Sequence, residues 1–163
     1  MKYVKPLLLT LLVVLAFTSC GSLKPVTVTR NASLEGYHYA YINSTSTKVG
    51  STGSVYNGIG ASVTRSTNPS DVISGFLMKH GFIIVPEIKP DEAKETIVVN
   101  YAETGRRNLN LGYTIEITIQ ILSANDNLLL CTGTAEGQGE TEADDIRIAI
   151  TRCLAEIFKC NLR

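Results

Sequence analysis

The segment Tyr113–Ser123 constrains the fold more than any other stretch, because apolar and polar side chains alternate along it without interruption. Its alternating residues are Thr114, Ile115, Glu116, Ile117, Thr118, Ile119, Gln120 and Ile121. Successive side chains of a β-strand point to opposite faces, so the isoleucines share one face and the polar residues share the other. The pattern predicts a central antiparallel strand with one face on a hydrophobic core and the other toward water.

The composition fits one globular domain preceded by a leader. Of the 163 residues, 44% are hydrophobic and 18% are charged, which supports a hydrophobic core and argues against disorder along the whole chain. Removing Lys2 and Lys5 with the leader leaves 13 basic and 15 acidic residues, a net charge of −2. No basic run follows the leader, so a nucleic-acid partner is not expected.

Residues 1–19 have the layout of a signal peptide. Lys2 and Lys5 precede a mostly apolar run over residues 7–17, and two small polar residues follow it. The run is shorter than the about 20 residues that a membrane-spanning helix needs. We therefore predict that residues 1–19 are removed and take no part in the fold.

Cys20 stands directly after these small polar residues, and this arrangement resembles the lipobox of bacterial lipoproteins. That lipobox usually has leucine three positions before the cysteine, where this chain has Phe17. The resemblance implies cleavage before Cys20 and acyl chains on this residue, which would contact membrane lipid. In Gram-negative lipoproteins, an aspartate directly after the lipidated cysteine resembles an inner-membrane retention signal. This chain has Gly21 at that position, so the resemblance favours the outer membrane. An ordinary cleaved signal peptide and an uncleaved anchor are the alternatives.

The segment after the cysteine carries few large apolar side chains. Residues 20–36 are predicted to form a lipidated tether, so that a single domain occupies residues 37–163. Tyr37–Ile42 is short, aromatic and alternating, which predicts the first strand of this domain.

Residues 43–66 are rich in serine, threonine and glycine. Two interpretations compete: a mobile loop, or a loosely specified β-hairpin that turns at Asn57 and Gly58. A loop of this length inside a compact domain is uncommon unless it is functional or disordered. Tyr56 and Asn57 are therefore candidate contact residues, with a solvated connector as the alternative.

A helix is predicted to begin at Asn68 and Pro69, because asparagine is a good N-cap and proline fits the first helical position. Gly81 is predicted to end this helix. Its apolar face comprises Val72, Ile73, Phe76 and Leu77. Gly75 lies inside the helix at a cost of about 1 kcal/mol relative to alanine, and we expect it to let the helix lie close to the sheet.

The remaining elements are three further strands and a closing helix. The predicted strands are Phe82–Val85, Thr96–Thr104 and Leu128–Glu136, with residues 105–112 as a connection before the isoleucine strand. Thr141 and Asp144 form a capping-box pattern at the start of the closing helix. Its apolar stripe comprises Ile146, Ala149, Ile150, Cys153, Leu154 and Ile157.

These elements predict an α+β fold: a mainly antiparallel sheet of about five strands with two helices packed on one face. The order of elements over residues 37–160 is similar to that of small envelope lipoproteins such as the lipopolysaccharide-assembly lipoprotein. It is also similar to several uncharacterised lipoprotein families of Bacteroidetes-like bacteria. This resemblance is one of architecture, and fold alone does not give function.

Three cysteines follow Cys20, and an exported chain can form disulfides. Cys131 is expected on the helix side of its strand. Comparing the length of this strand after Cys131 with the rise per residue of the closing helix places the residue opposite Cys131 between Cys153 and Cys160. We predict a bridge from Cys131 to Cys160, with Cys153 as the second choice and buried free thiols as the alternative.

No catalytic or metal-binding residues and no cofactor are predicted. The cysteines lack a close paired spacing, and the two histidines, His38 and His80, are far apart in the sequence. No Gly-x-Ser-x-Gly elbow is present. Arg106 and Arg107 are expected on a hairpin tip, where they are candidate contacts to anionic lipid, glycan or a partner, with a solvated turn as the alternative.

The leading hypothesis is a non-enzymatic envelope lipoprotein with a binding or scaffolding role toward an envelope protein or glycan. The second hypothesis is a carrier of a small lipid or glycan, held in a pocket between sheet and helices. The third is an enzyme, which would need His38 or His80 beside an acidic residue in one cleft.

Overall fold

The alternating isoleucine segment forms the third strand across a six-stranded sheet. The computed structural model describes residues 23–43, 68–109 and 112–159. The strands are β1 Thr27–Arg30, β2 Tyr39–Asn43, β3 Ile83–Ile84, β4 Thr96–Asn108, β5 Tyr113–Ser123 and β6 Leu129–Gly137. The helices are α1 Pro69–Lys79 and α2 Glu142–Phe158, and a short 3-10 turn covers Ala93–Glu95.

The sheet has the order β1-β6-β5-β4-β2-β3, and it is mixed. The pairs β1–β6, β6–β5 and β5–β4 are antiparallel, whereas β2 runs parallel to both β3 and β4. After β2 the chain passes through α1 and returns to begin β3 at the same end, which is the crossover that parallel strands need. The α+β class with helices on the sheet is confirmed, but the prediction of a mainly antiparallel sheet of about five strands is wrong.

β1 is the strand that the sequence interpretation missed. Residues 20–36 were assigned to a tether, yet Thr27–Arg30 pairs with β6 over its whole length. The side chain of Arg30 donates a hydrogen bond to the Ile157 carbonyl near the end of α2. A four-residue edge strand buries little apolar surface, so its polar composition hid it.

The core lies between the sheet and the two helices. Ile115, Ile117, Ile119 and Ile121 are 0–3% exposed, which confirms the predicted apolar ridge. The predicted stripe of α2, from Ile146 to Ile157, is also buried against it. Burial of such side chains contributes about 1.5–3 kcal/mol each, so this layer supplies most of the driving force for folding.

The ends of α1 follow the predicted signals. The Asn68 side chain accepts a hydrogen bond from the Ser70 amide at 3.1 Å, Pro69 is the first helical residue, and Gly81 has a φ of +88°. The expectation for Gly75 is wrong, because a Cβ built on it meets nothing within 4 Å. Gly75 therefore does not bring α1 close to the sheet.

Close approach occurs at α2 instead, through glycines of β6. A Cβ on Gly133 would lie 2.8 Å from Cys153 Sγ. On Gly137 it would overlap the Asp145 carbonyl oxygen and lie 2.6 Å from the Ala149 amide nitrogen. The first turns of α2 thus rest directly on the backbone of β6. The predicted cap of α2 is confirmed, since Thr141 Oγ1 accepts from the Asp144 amide at 3.2 Å.

Candidate binding surface on the open face of the sheet

The sheet face opposite the helices, called the open face below, carries mainly uncharged polar side chains. Strand register places on this face the even-numbered residues of β5, those of β4 up to Thr104, and Thr132, Thr134 and Glu136 of β6. No helix of the described ranges covers it, and Ala102, Thr104 and Gln120 are exposed. This face therefore offers side chains to solvent or to a ligand.

A row of hydrogen-bonding side chains crosses five strands of the open face. Asn43 pairs with Asn100, Asn100 with Gln120, Gln120 with Thr132, and Thr132 with Thr29. Directly opposite residues have Cβ atoms about 4.5–5.5 Å apart. Three carboxamides therefore stand side by side on β2, β4 and β5, where each can both donate and accept hydrogen bonds.

Threonines form a second row beside the carboxamides. Thr118 Oγ1 lies 2.9 Å from Thr134 Oγ1 and 3.1 Å from Thr104 Oγ1. Thr104 Oγ1 also donates to Glu116 Oε1 at 2.9 Å. These hydroxyls already pair with one another, so they hold the threonine side chains in fixed orientations at the edge of the carboxamide row.

A shallow depression of about 360 Å³ lies where the two rows meet. It is lined by Asn43, Asn100, Tyr101, Ala102, Thr104, Thr118 and Gln120, none of which is charged. Asn100 Oδ1 is buried, and it accepts no hydrogen bond from the part of the chain that the structure describes. A buried acceptor without a partner costs about 1–3 kcal/mol, so a donor that reaches Asn100 Oδ1 when the surrounding side chains move would form a favourable hydrogen bond.

Sequence interpretation did not select Asn43, Asn100 or Gln120. For Gln120 the sequence did contain a signal, because this residue is one of the polar residues that alternate with the isoleucines of β5. The pairing of Gln120 with Asn100 depends on strand register, which a single sequence does not give. Tyr56 and Asn57, the predicted contact residues, lie outside the described residues, as does Cys20.

Arg106 and Arg107 lie within β4, so their assignment to a hairpin tip is wrong. Arg106 contacts Glu103 at 2.5 Å and Glu142 at 2.6 Å, and its guanidinium lies 5.4 Å from the centroid of the Tyr113 ring. These carboxylates raise the pKa of Arg106. The pair with Glu103 lies within β4, whereas the pair with Glu142 ties the end of β4 to the start of α2.

Arg107 points to the open face and binds Glu136 through two hydrogen bonds, of 3.0 and 2.6 Å. The Glu136 side chain is only 2% exposed. The Lys24 amide also donates to Glu136 Oε2 at 3.0 Å. The Arg107 hydrogen bonds, aided by Lys24, lower the pKa of Glu136 to about 2 against the opposing effect of burial. Both arginines thus hold intramolecular partners.

The predicted disulfide involves one residue, Cys160, that lies outside the described residues. Cys131 faces α2 as predicted, and both Cys131 and Cys153 are buried free thiols. Burial raises the pKa of Cys131 to about 11 and that of Cys153 to about 12, so both thiols stay protonated at neutral pH.

The two histidines lie in different surroundings. His80 follows α1 and stacks on Phe76 at 4.5 Å between ring centroids, with Phe158 at 5.0 Å, whereas His38 precedes β2. Within residues 23–43, 68–109 and 112–159, no group of three or more His, Cys, Asp or Glu could hold a metal ion. No helix in those ranges is long and apolar enough to cross a membrane.

Comparisons with known proteins do not show a function for this chain. No protein-family model matches the chain, and no curated protein matches it. The fold is similar to the PelC dodecamer from Paraburkholderia phytofirmans in space group P6, with 11% identity and a TM-score of 0.46. A substituted form in space group C2 gives 14% and 0.49. Each match covers 80% of this chain and 94% of the other, a likeness too distant to carry a functional argument.

Proposed function

We propose that this chain is a lipid-anchored, non-enzymatic protein of the cell envelope that binds a neutral glycan on the open face of its sheet. The anchoring half of the proposal is supported by the leader and by Cys20, whose surroundings resemble a lipobox. Several acyl chains on one cysteine would hold the domain stably, since a single chain gives only marginal membrane binding. The outer membrane is the proposed location, because Gly21 follows the cysteine.

The chemistry of the depression favours a neutral, hydroxyl-rich ligand. Its lining supplies carboxamides and hydroxyls, which match sugar hydroxyls because both partners donate and accept hydrogen bonds. Tyr41 lies on the same face two positions before Asn43, and its ring adds an apolar surface with a polar edge. The absence of charge from the lining residues disfavours an anionic or cationic ligand.

The observation that carries the proposal is Asn100 Oδ1. The surrounding sheet holds this acceptor buried and without a hydrogen bond from the described residues, at a cost of about 1–3 kcal/mol. A ligand hydroxyl or amide that donates to it would recover that free energy only in the complex. A site of this kind lowers the stability of the free domain and favours the complex with its ligand.

The second hypothesis, a carrier with its pocket between sheet and helices, has less support. The isoleucine ridge is packed, with each member 0–3% exposed, and the depression lies on the opposite face. We therefore place the ligand on the open face. A protein partner that binds the same face is the alternative that would remain if no sugar bound in a titration.

Calorimetric titration of the purified domain with neutral oligosaccharides of hexoses and N-acetylhexosamines tests the proposal. We expect binding, and we expect Asn100→Leu or Gln120→Ala to weaken it at least about tenfold, equal to about 1.4 kcal/mol. Thr29→Val is the matched control, because Thr29 belongs to the same row but does not line the depression. No binding to any of these sugars, or equal binding by Asn100→Leu, would contradict the proposal.

A further inference from the structure

Lys24, four positions after Cys20, is fixed to one end of the sheet, and this determines how an anchored domain can face its membrane. We infer that the domain meets the lipid surface through its anchor end. The anchor end is the end of the sheet that holds Lys24, Asn108 at the end of β4, Tyr113 at the start of β5, and the start of α2. This inference depends on the lipid anchor proposed above.

Hydrogen bonds hold Lys24 on both sides of its backbone. Its amide donates to Glu136 Oε2 at 3.0 Å, and its carbonyl accepts from Arg152 at 3.0 Å. Arg152 also donates to the Glu136 carbonyl, so a single arginine links Lys24 and β6 to α2. The Lys24 ammonium adds an ion pair with Glu136 at 3.4 Å. Lys24 is thus fixed to the folded domain.

Strand register identifies the end at which Lys24 lies. β1 enters antiparallel to β6 with Thr27 opposite Thr134, so the residues before β1 run toward Gly137, the last residue of β6. Gly137 pairs with Ile115 near the start of β5, and Asn108 pairs with Tyr113 at the same end. Asn108 and Tyr113 therefore lie at the same end of the sheet as Lys24.

Chain length keeps the anchor end close to the membrane. Cys20 and Lys24 are four positions apart, and a fully extended chain covers at most about 3.6 Å per residue, or about 14 Å in total. β5 has 11 residues, which at about 3.3 Å per residue make the sheet about 35 Å long. In a domain that stands on its anchor end, Leu128, which follows the turn after β5, therefore lies far from the lipid.

The acyl chains, and not charge, would hold the anchor end to lipid. The exposed cation Arg106 is already neutralised there by Glu103 and Glu142. The side chain of Arg107 likewise binds Glu136. This orientation leaves the depression accessible, since Asn100 lies eight residues before Asn108 along β4, about 26 Å from it at about 3.3 Å per residue.

Tryptophan fluorescence can test the orientation, because the chain contains no tryptophan. Asn108→Trp places the probe at the anchor end and Leu128→Trp at the far end, both at exposed positions. The acylated full-length protein would be reconstituted into phosphatidylcholine vesicles in which part of the lipid carries brominated acyl chains. We expect bromine to quench the probe at position 108 several-fold more strongly than the probe at position 128.

Two controls separate orientation from anchoring. Gly-Ser repeats inserted between Ser22 and Leu23 lengthen the tether without touching the described contacts of Lys24, and they should reduce quenching at position 108. Equal quenching of both probes, or stronger quenching at position 128, in protein whose mass shows acylated Cys20 would overturn the orientation alone. An unmodified Cys20 in protein recovered from membranes would overturn the anchor, and the orientation with it.

Discussion

The two faces of the sheet are formed by the same strands, but their side chains make different kinds of contact. Ile117 and Thr118 are neighbours in β5, yet the first is 3% exposed under α2 and the second contacts two other threonines on the open face. On the helix face, volume decides which residue fits; on the open face, hydrogen bonding decides. We therefore expect changes in packing on the helix face to alter stability while the side chains proposed to bind a ligand on the open face remain in place.

Two buried carboxylates sharpen the comparison. Glu136 lies on the open face between Arg107 and Lys24, and its pKa is lowered to about 2. Asp145 lies on the helix side near Glu142 and Asp144, and burial raises its pKa although the Gly139 amide donates to it. The open face thus stabilises a charge through cationic partners, whereas the helix face opposes one through burial.

The largest effect is expected from Gly137→Ala on the helix face. Its new Cβ would overlap the Asp145 carbonyl oxygen, so α2 would have to leave its place on β6. We expect a loss of more than about 4 kcal/mol in the free energy of unfolding, measured by denaturant titration. The control is Gly75→Ala in α1, where the Cβ meets nothing and stability should rise by about 1 kcal/mol. Similar losses in both variants would contradict the packing described for α2.

The next largest effect contrasts neighbouring residues of β5. Ile119→Ala should reduce the free energy of unfolding by about 2–5 kcal/mol, because Ile119 is fully buried and its truncation leaves a cavity. Thr118→Val keeps the shape of its residue and removes only hydroxyl contacts, so we expect a loss below about 1 kcal/mol. Thermal and denaturant unfolding would measure both, and equal losses would show that the faces do not differ as described.

Glu136→Gln tests a buried charge of the open face, and we expect a loss of about 1–3 kcal/mol at neutral pH. The folded pKa of Glu136, about 2, lies below its usual value of 4.5, so the ionised carboxylate stabilises the fold above pH 4.5. This contribution disappears as the pH falls from 4.5 to 2. Stability curves of the wild type and the variant should therefore converge over that range. A difference independent of pH would show that the ion pair with Arg107 does not stabilise the fold.

The smallest expected change in stability is a gain. Asn100→Leu replaces a buried acceptor that lacks a partner by an apolar side chain of similar size, so the free energy of unfolding should rise by about 1 kcal/mol. Thermal unfolding measures it, with Gln120→Leu as the control, since Gln120 is exposed and its replacement releases no buried polar atom. Destabilisation by Asn100→Leu alone would mean that Oδ1 has a partner that stabilises the fold.

The local features of the fold could be predicted from the sequence, because they depend on nearby residues. The isoleucine ridge, the Asn68 and Thr141 caps and the apolar stripe of α2 follow from periodicity and capping chemistry. The parallel placement of β2 and the edge position of β1 depend on how distant segments pair. Thr27, Val28 and Thr29 are β-branched and alternate in polarity, which is a strand signal, but the run is only four residues long and lies among residues that resemble a tether, so its assignment was wrong.

The candidate site was harder to predict than the fold. The carboxamides of Asn43, Asn100 and Gln120 come together only through the register of three strands, two of which are parallel. Arg106 and Arg107 attracted attention because they are adjacent cations, but their partners, Glu142 and Glu136, lie more than 25 residues away in sequence. A charged residue that stands out in a sequence can form an ion pair inside the folded protein.

The most direct test of the account is a nuclear magnetic resonance titration that observes both faces at once. Neutral oligosaccharide would be added to the purified domain while the side-chain amide signals of Asn43, Asn100 and Gln120 and the isoleucine methyl signals are followed. If the open face binds the sugar, the three amide signals shift together while the methyl signals of Ile115, Ile117, Ile119 and Ile121 stay in place. Shifts of the ridge methyl signals with unchanged amide signals would contradict binding at this face.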